Sequence, residues 1–387
     1  MKVAYVCTDP GVPVFGSKGG SIHVQSVLRA LIARGVEIVL FARRLGGEAP
    51  AGLESVEVRR LSKAPSGQTP EREQFLLDAN TDLSEMLRAE PGLDMVYERH
   101  SLFSFAAMEF AKEAGIPGLL EVNAPLVEEQ QNYRSLTMVE QAQAAAARAF
   151  EASGALLAVS NPLGEWLEQQ PEAAGRVHVV PNGVDVSRFQ ALNKPSLPAE
   201  KDLVTIGFVG SLRPWHGVEL LVEAFLRLRQ ELAPVRLLVV GDGPMREQIE
   251  ASCASEHGAV VLTGAVSPTQ VPGLLASMDI AVAPYPPMDR CYFSPLKLFE
   301  YMAAGVAIAG SASGQVSEVI DDGLTGLLYE PDDTNGLYSV LRRLTDDAGL
   351  RRQLGARARE AAVLCHGWDS VAGRILDLAN EYGEVSA

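Results

Sequence analysis

The run SPLKLFEYMAAG, residues 294 to 305, places one lysine and one glutamate three residues apart in an otherwise apolar stretch. Ser294 suits an N-cap, Pro295 the first helical position and Gly305 a stop, so the run predicts a helix. At about 100° per residue, Leu296, Phe299, Met302 and Ala303 share one face, and Lys297 and Glu300 sit together at its edge. The free amides at such a start form an anion site, to which Lys297 adds a full charge. Glu300, one turn deeper, can accept two hydrogen bonds from vicinal hydroxyls such as those of a ribose. A phosphate beside a diol describes a nucleotide. The plainer alternative is an exposed ion pair of little energetic worth.

Three other loops follow strand-like runs. In FGSKGGS, residues 15 to 21, Gly19 and Gly20 precede a helix start, where paired glycines let a backbone approach a ligand and helix amides bind anions; a turn requiring positive φ is the alternative. GSLRPWHG, residues 210 to 217, holds Ser211, Arg213 and His216 between a strand and a helix. A guanidinium there can pair bidentately with phosphate oxygens, against the alternative of a solvated Arg and an exposed His. VVGDGPMRE, residues 239 to 247, approaches the dinucleotide fingerprint but has Arg246 at the third glycine, and no acidic residue follows the next strand near VVLTG. That weighs against a dehydrogenase and leaves Gly241 to Pro244 as a tight strand-to-helix turn. HExxH, GxSxG, Walker and Asp-x-Asp patterns are absent and the six histidines are scattered, so neither a metal nor a cofactor is expected.

The elements that must position these residues alternate almost from end to end. VAYVC, a Gly-rich loop, a helix with apolar Val24, Val27, Leu28 and Leu31, and VEIVLFA make a βαβ unit, which implies a parallel sheet. The rhythm continues through DMVYERH, PGLLEVN, ALLAVS and VHVVPNG. A polar, Pro-containing stretch at residues 187 to 202 reads as a linker. The rhythm restarts with TIGFVG, VRLLVVGDG, VVLTG, DIAVAPY, VAIAG and TGLLYE, and is mainly helical from about residue 333. Two α/β domains of doubly wound type follow, with ligands expected at the carboxyl ends of their strands in the cleft between them.

Composition is consistent with this. A chain of 387 residues exceeds what one core usually organises. With 33 basic against 49 acidic residues, the net charge of −16 argues against nucleic acid or an anionic membrane as main partner. Four separated cysteines read as free thiols of a reducing compartment, no run is long enough to span a bilayer, and MKVAYVCTDPG reads as a buried strand rather than a signal peptide. A cytoplasmic protein is expected, of undetermined oligomeric state.

In order and spacing, VHVVPNGVDVSRF, VVGDGP, VVLTGAVSPTQVPGLLASMDIAVAPY, SPLKLFEYMAAGVAIA and DDGLTGLLYEPDD resemble the retaining nucleotide-sugar glycosyltransferases of family four. The likeness covers nearly the whole chain and is strongest from about residue 177 to 330. It implies the GT-B fold: an acceptor-binding Rossmann-like domain over 1–190, a donor-binding one over 200–365, and a helix over 366–387 packing back on the first. Glu300 matches the ribose-binding Glu of the family, the helix amides at Pro295, Leu296 and Lys297 match its diphosphate cradle, and Gly264 to Val266 would lie against the base. Gly19 and Gly20 match the glycine loop near the phosphate and donor sugar. Tyr292 stands where the family has its first Glu, Ser211 and His216 where it has a phosphate-binding Arg and Lys, and Asn123 where it has a His, with His100 the nearest alternative. Arg213 or Lys297 then supplies the missing positive charge.

The activity implied is metal-independent hexosyl transfer, with retention, from a nucleotide diphosphate sugar to a hydroxyl of a polar acceptor, small molecule, glycan or lipid-linked. Family frequency favours UDP. The rivals are a sugar-nucleotide epimerase or a phosphorylase on the same fold, and a two-lobed sugar- or nucleotide-binding protein without catalysis.

Overall fold

Strand after strand is apolar on both faces, as a parallel sheet sandwiched between helices requires. The structure, a computed structural model, describes residues 1–67, 69–189, 194–256, 258–287, 292 and 294–384. The chain runs β1 (Lys2–Cys7), α1 (Gly19–Ala33), β2 (Glu37–Ala42), β3 (Glu57–Arg60), α2 (Pro70–Arg88), β4 (Met95–Arg99), α3 (Ala106–Ala114), β5 (Gly118–Val122), α4 (Leu126–Tyr133), α5 (Val139–Ala152), β6 (Ala155–Ala158), α6 (Asn161–Glu168) and β7 (Val177–Val179). It continues through β8 (Val204–Val209), α7 (Val218–Gln230), β9 (Val235–Val240), α8 (Arg246–Ser252), β10 (Val260–Leu262), α9 (Val271–Leu275) and β11 (Ile280–Ala283). The rest is α10 (Leu296–Ala304), β12 (Ala307–Ser311), α11 (Gln315–Val319), β13 (Leu327–Tyr329), α12 (Thr334–Asp346), α13 (Ala348–Cys365) and α14 (Trp368–Glu384). Each strand expected above is present.

The chain divides into two compact units. The first comprises Met1–Asn182, Tyr292–Ser294 and Trp368–Ala387. Its seven strands lie in the order β3-β2-β1-β4-β5-β6-β7, all parallel. Strand order reverses between β1 and β4, so the loop after β1 and the residues after β4 meet at the switch point, where such sheets bind ligands. The apolar residues of α1 at helical spacing, Val24, Val27, Leu28 and Leu31, are buried against this sheet. In the same unit α14 lies on α1, with Trp368 edge-on to His23 and Asp369 bonded to Arg34.

The second unit comprises Gly183–Cys291 and Pro295–Gly367. Its six parallel strands lie in the order β10-β9-β8-β11-β12-β13, reversing between β8 and β11. The loop at 210–217 follows β8, and α10 follows β11. The polar stretch at 187–202 is therefore not a free connection: from Gly183 the chain belongs to this unit. Arg236 on β9 donates to the Leu197 and Pro198 carbonyls and ties the stretch down. Residues 190–193 lie outside the described ones.

β3 and α2 carry the weakest sequence signals. β3 is EVRR, an edge strand without an apolar run, and α2 is announced by its start alone, Thr69 accepting from the Arg72 amide with Pro70 as first residue.

Candidate functional site

In the second unit the charged residues gather at the switch point. α10 is fixed there from inside: the buried Tyr301 hydroxyl accepts from the last amide of β8, Val209 N, at 2.9 Å. The helix begins one residue later than its capping signal suggests. Pro295, extended, is the N-cap, and Gly305 ends the helix in the left-handed conformation, as expected. Ser294 is engaged elsewhere, its hydroxyl accepting from the Asn182 amide and its carbonyl from the Asn182 side chain within the first unit. Pro295 has no N–H, so it cannot be one of the cradle's donors, and the Leu298 amide already bonds the Pro295 carbonyl. The donors that α10 offers at its start are Leu296 and Lys297.

The exposed ion pair between Lys297 and Glu300 does not form among the described residues. The Lys297 ammonium is buried without a hydrogen-bond partner among the described residues, 4.1 Å from the centre of the Phe208 ring and 5.2 Å from that of Tyr285. A glycine makes room for it. Gly210 has φ +148°, and a Cβ there would lie 2.8 Å from Lys297 Nζ. Burial lowers the lysine to about 7, with Glu300 pulling the other way. An unpaired buried cation is costly in the free protein and favourable only when an anion arrives.

Around it, the neighbouring loop residues have separate roles. His216 Nδ1 lies 2.5 Å from the Ser211 carbonyl, an acceptor only, so Nδ1 carries the proton and Nε2 is free to accept. Burial first, then the Lys297 charge, lowers this imidazole to about 4. Its ring is edge-on to Trp215 and Tyr285. Ser211 is exposed, and so is Arg213, whose guanidinium lies 5.5 Å from the centre of the exposed Trp215 ring. Gly241 reaches the same loop, because a Cβ there would fall 1.9 Å from the Gly210 carbonyl, at φ +136°. Its amide donates to the Gly264 carbonyl, which also accepts from Thr263 Oγ1. Gly264 thus holds the loop in place, with Val266 two residues beyond and half-buried.

Glu300, one turn along α10, faces Arg188, Nη1 to Oε1 3.8 Å. Burial raises its carboxyl to about 7, and Arg188 and Lys297 partly oppose that. Arg188 sits in a short 3₁₀ turn and also donates to the Pro268 carbonyl. It escapes sequence reading because it lies in a stretch whose polarity suggests a linker.

These two values set a pH dependence. Lys297 binds an anion when protonated and loses that charge as pH rises through about 7. Glu300 accepts from hydroxyls when ionised and loses that capacity as pH falls through about 7. The affinity of a ligand that offers both an anion to Lys297 and hydroxyls to Glu300, measured by calorimetry with a nucleoside diphosphate as probe, should therefore peak near neutrality and fall on both sides. A flat profile from pH 6 to 9, roughly the span over which both groups change charge, would remove one of them from the site.

In the first unit a buried carboxylate gathers four donors. Glu121 on β5 accepts from Tyr97 Oη at 2.6 Å, Arg99 Nη1 at 2.8 Å and Asn123 Nδ2 at 2.6 Å, and pairs with His23 Nε2 at 2.8 Å. Burial alone would raise it, but His23, Arg99 and Tyr97 hold it well below the usual carboxylate range. Gly20 adjoins the same group, a Cβ there lying 3.9 Å from Arg99 Nη2. Gly19 and Gly20 lie in the first turn of α1 and neither has positive φ, so the turn alternative fails. The structure thus brings Gly20 and Asn123 together through Arg99 and Glu121, neither of which was singled out from the sequence.

His100 and Tyr292 do not join either cluster. The His100 ring packs on Phe150 at 5.3 Å, and burial, with Arg99, lowers it to about 4, so it is neutral at pH 7. Tyr292 packs against the first unit's core, and its carbonyl accepts from Ser160 Oγ. Among the described residues no group of three His, Cys, Asp or Glu side chains is arranged to hold a metal, and no helix is long and apolar enough to cross a membrane.

Residues 17–188 match the family described as Glycosyltransferase Family 4, and residues 204–347 match that described as Glycosyl transferases group 1. The chain is 25% identical over 411 residues to a D-inositol 3-phosphate glycosyltransferase of Salinispora tropica, covering 97% of this chain and 83% of the relative. Among solved structures it resembles the sucrose-phosphate synthase of Thermosynechococcus elongatus, with TM-score 0.74, 20% identity and 99% of both chains covered. It also resembles Anabaena HepE in complex with UDP and glucose, with TM-score 0.70, 15% identity, and 98% of this chain and 100% of that one covered. The matched families span both units, the fold is that of these GT-B enzymes, and the chain belongs to the glycosyltransferases of family 4.

Proposed function

We propose that this glycosyltransferase transfers a hexosyl unit from a nucleotide diphosphate sugar, with UDP as the favoured nucleotide, to a hydroxyl of a polar acceptor, with retention at the anomeric carbon. The observation that carries the reading is the unpartnered Lys297 ammonium beneath the Gly210 loop, one turn from the Glu300 carboxylate. The second unit holds the donor: the Leu296 and Lys297 amides and the ammonium take the diphosphate, Glu300 the ribose hydroxyls, and the backbone at Ala265 and Val266 the base. The first unit holds the acceptor near Gly20, Arg99 and Asn123.

Breaking the glycosidic bond leaves negative charge on the departing phosphate. A preorganised cation there stabilises the transition state more than the ground state. The departing phosphate takes the acceptor proton on the same face, so no enzyme base is required. His216 and His100 are both neutral at pH 7, and neither is given a part in this step.

Two measurements test this. Glu300→Ala should weaken UDP binding by roughly tenfold or more, since hydrogen bonds to a charged group are worth about 1.5–3 kcal/mol each. Unchanged affinity in calorimetry would return Glu300 to a structural role. Proton NMR of the first product formed from an α-linked donor should show an α-glycoside. A β product would rule out retention, and donor consumption that needs inorganic phosphate or no acceptor would favour a phosphorylase or an epimerase.

A further inference from the structure

A cavity of about 380 Å³ opens in the first unit at the carboxyl ends of β2 and β3, facing α2. Arg43, just after β2, and Arg60, at the end of β3, line it from the sheet; Asp82 and Glu85 line it from the helix. These four charges, two of each sign, surround one space. Among the described residues none of them makes an ion pair.

Arg43 is the informative member. Only 9% exposed, its guanidinium is held by the Thr8 carbonyl at 3.0 Å and the Ser62 carbonyl at 2.5 Å, and lies 5.4 Å from the centre of the Phe75 ring. A buried guanidinium with no carboxylate in direct contact is costly, even with Asp82 across the cavity to attract it, yet this one is fixed in orientation at the end of a sheet where such folds bind ligands. Its anchor Thr8 directly follows β1, which places the cavity on the same edge of the sheet as Gly20 and Glu121.

The lining chooses the ligand. An anion would meet Asp82 and Glu85, and a cation would meet Arg43 and Arg60. A hydroxyl donates to a carboxylate and accepts from a guanidinium, so a polyhydroxylated ring satisfies both signs without net charge. Leu61 and Met86 supply apolar surface for the C–H face of such a ring, and the volume lies within the range of about 300–1,000 Å³ usual for small-molecule sites. We propose that this cavity binds a neutral saccharide ring. Calling that ring a remote unit of the acceptor rests on the transferase reading above; the binding itself does not.

The test uses the full chain with maltose, lactose and N-acetylglucosamine as probes, followed by saturation-transfer NMR and calorimetry, with UDP affinity measured on the same samples. At least one probe should bind with a dissociation constant in the millimolar range. Arg60→Ala and Asp82→Ala, both at exposed positions, should each weaken it by about tenfold while leaving UDP affinity unchanged. No binding of any probe up to about 50 mM, roughly the weakest affinity of interest, overturns the proposal. So does binding that neither substitution alters, or binding of glucuronate or inorganic phosphate but of no neutral probe. Loss of UDP binding alone would sink the nucleotide reading and leave the cavity's assignment standing.

Discussion

Lys297→Met should lower turnover by about 100-fold or more and, in the same protein, raise the unfolding midpoint of the unliganded chain. The first effect follows from the role proposed for this cation beside the leaving group, where one preorganised electrostatic contact is typically worth about 10²–10³ in rate. The second follows from the geometry of the unliganded protein: an ammonium with no hydrogen-bond partner among the described residues, against two aromatic rings, is replaced by an apolar chain of similar length. Such exchanges of buried charge for apolar groups are often stabilising, by about 1–4 kcal/mol. Because the folded lysine titrates near 7 and the unfolded one near 10.5, the unfolded chain binds more protons between those values. Wild-type stability should therefore rise with pH across that window, and the Met variant should lose that rise. Steady-state kinetics and urea melts at pH 7 and 9.5, taken on one preparation, check both arms. Turnover close to wild type would exclude Lys297 from leaving-group stabilisation. Arg213→Ala should cost less, because Arg213 is exposed beside Trp215 and screened by solvent.

Glu121→Leu should destabilise the first unit by about 3–5 kcal/mol, a large share of the roughly 5–15 kcal/mol that holds a typical domain together. The substitution removes one carboxylate but orphans four partners: the Arg99 guanidinium, His23, Tyr97 and Asn123. A buried charge left without its counter-ion outweighs any gain from the added apolar surface. The acid limb gives an independent signature. Glu121 is held below its ordinary value in the fold, so its contribution is complete above the unfolded carboxylate's value and is lost as pH falls through the folded one. Acid unfolding of the variant should be shallower than that of wild type. Denaturant melts that coincide for the two proteins at pH 7 would mean that the cluster is held by something other than this carboxylate.

Strands were legible wherever β-branched and apolar residues ran together, because a strand buried on both faces has no polar side to dilute its signal. β3 was not, since an edge strand of sequence EVRR looks like any charged loop. The helix at 296–304 was legible from its apolar face and its terminal glycine, but its start was misjudged by one residue because Ser294 bonds Asn182 rather than the helix. That competition is between segments more than a hundred residues apart, which local spacing cannot express. The same limit hid Arg188 and Arg99: each acts through a partner, Glu300 or Glu121, that only folding brings near. It also left an exposed Lys297–Glu300 ion pair standing as an alternative, which the space opened by Gly210 removes by admitting the lysine toward Phe208.

The hydroxyl of Tyr301 has a further consequence. By accepting the final amide of β8, it acts as a spacer of fixed length between the second turn of α10 and the end of that strand. A phenylalanine would fill the same volume yet leave Val209 N–H without a partner, and the helix could then drift by a fraction of a turn. The alignment of α10 with the end of β8 thus hangs on a single phenolic oxygen inside the core.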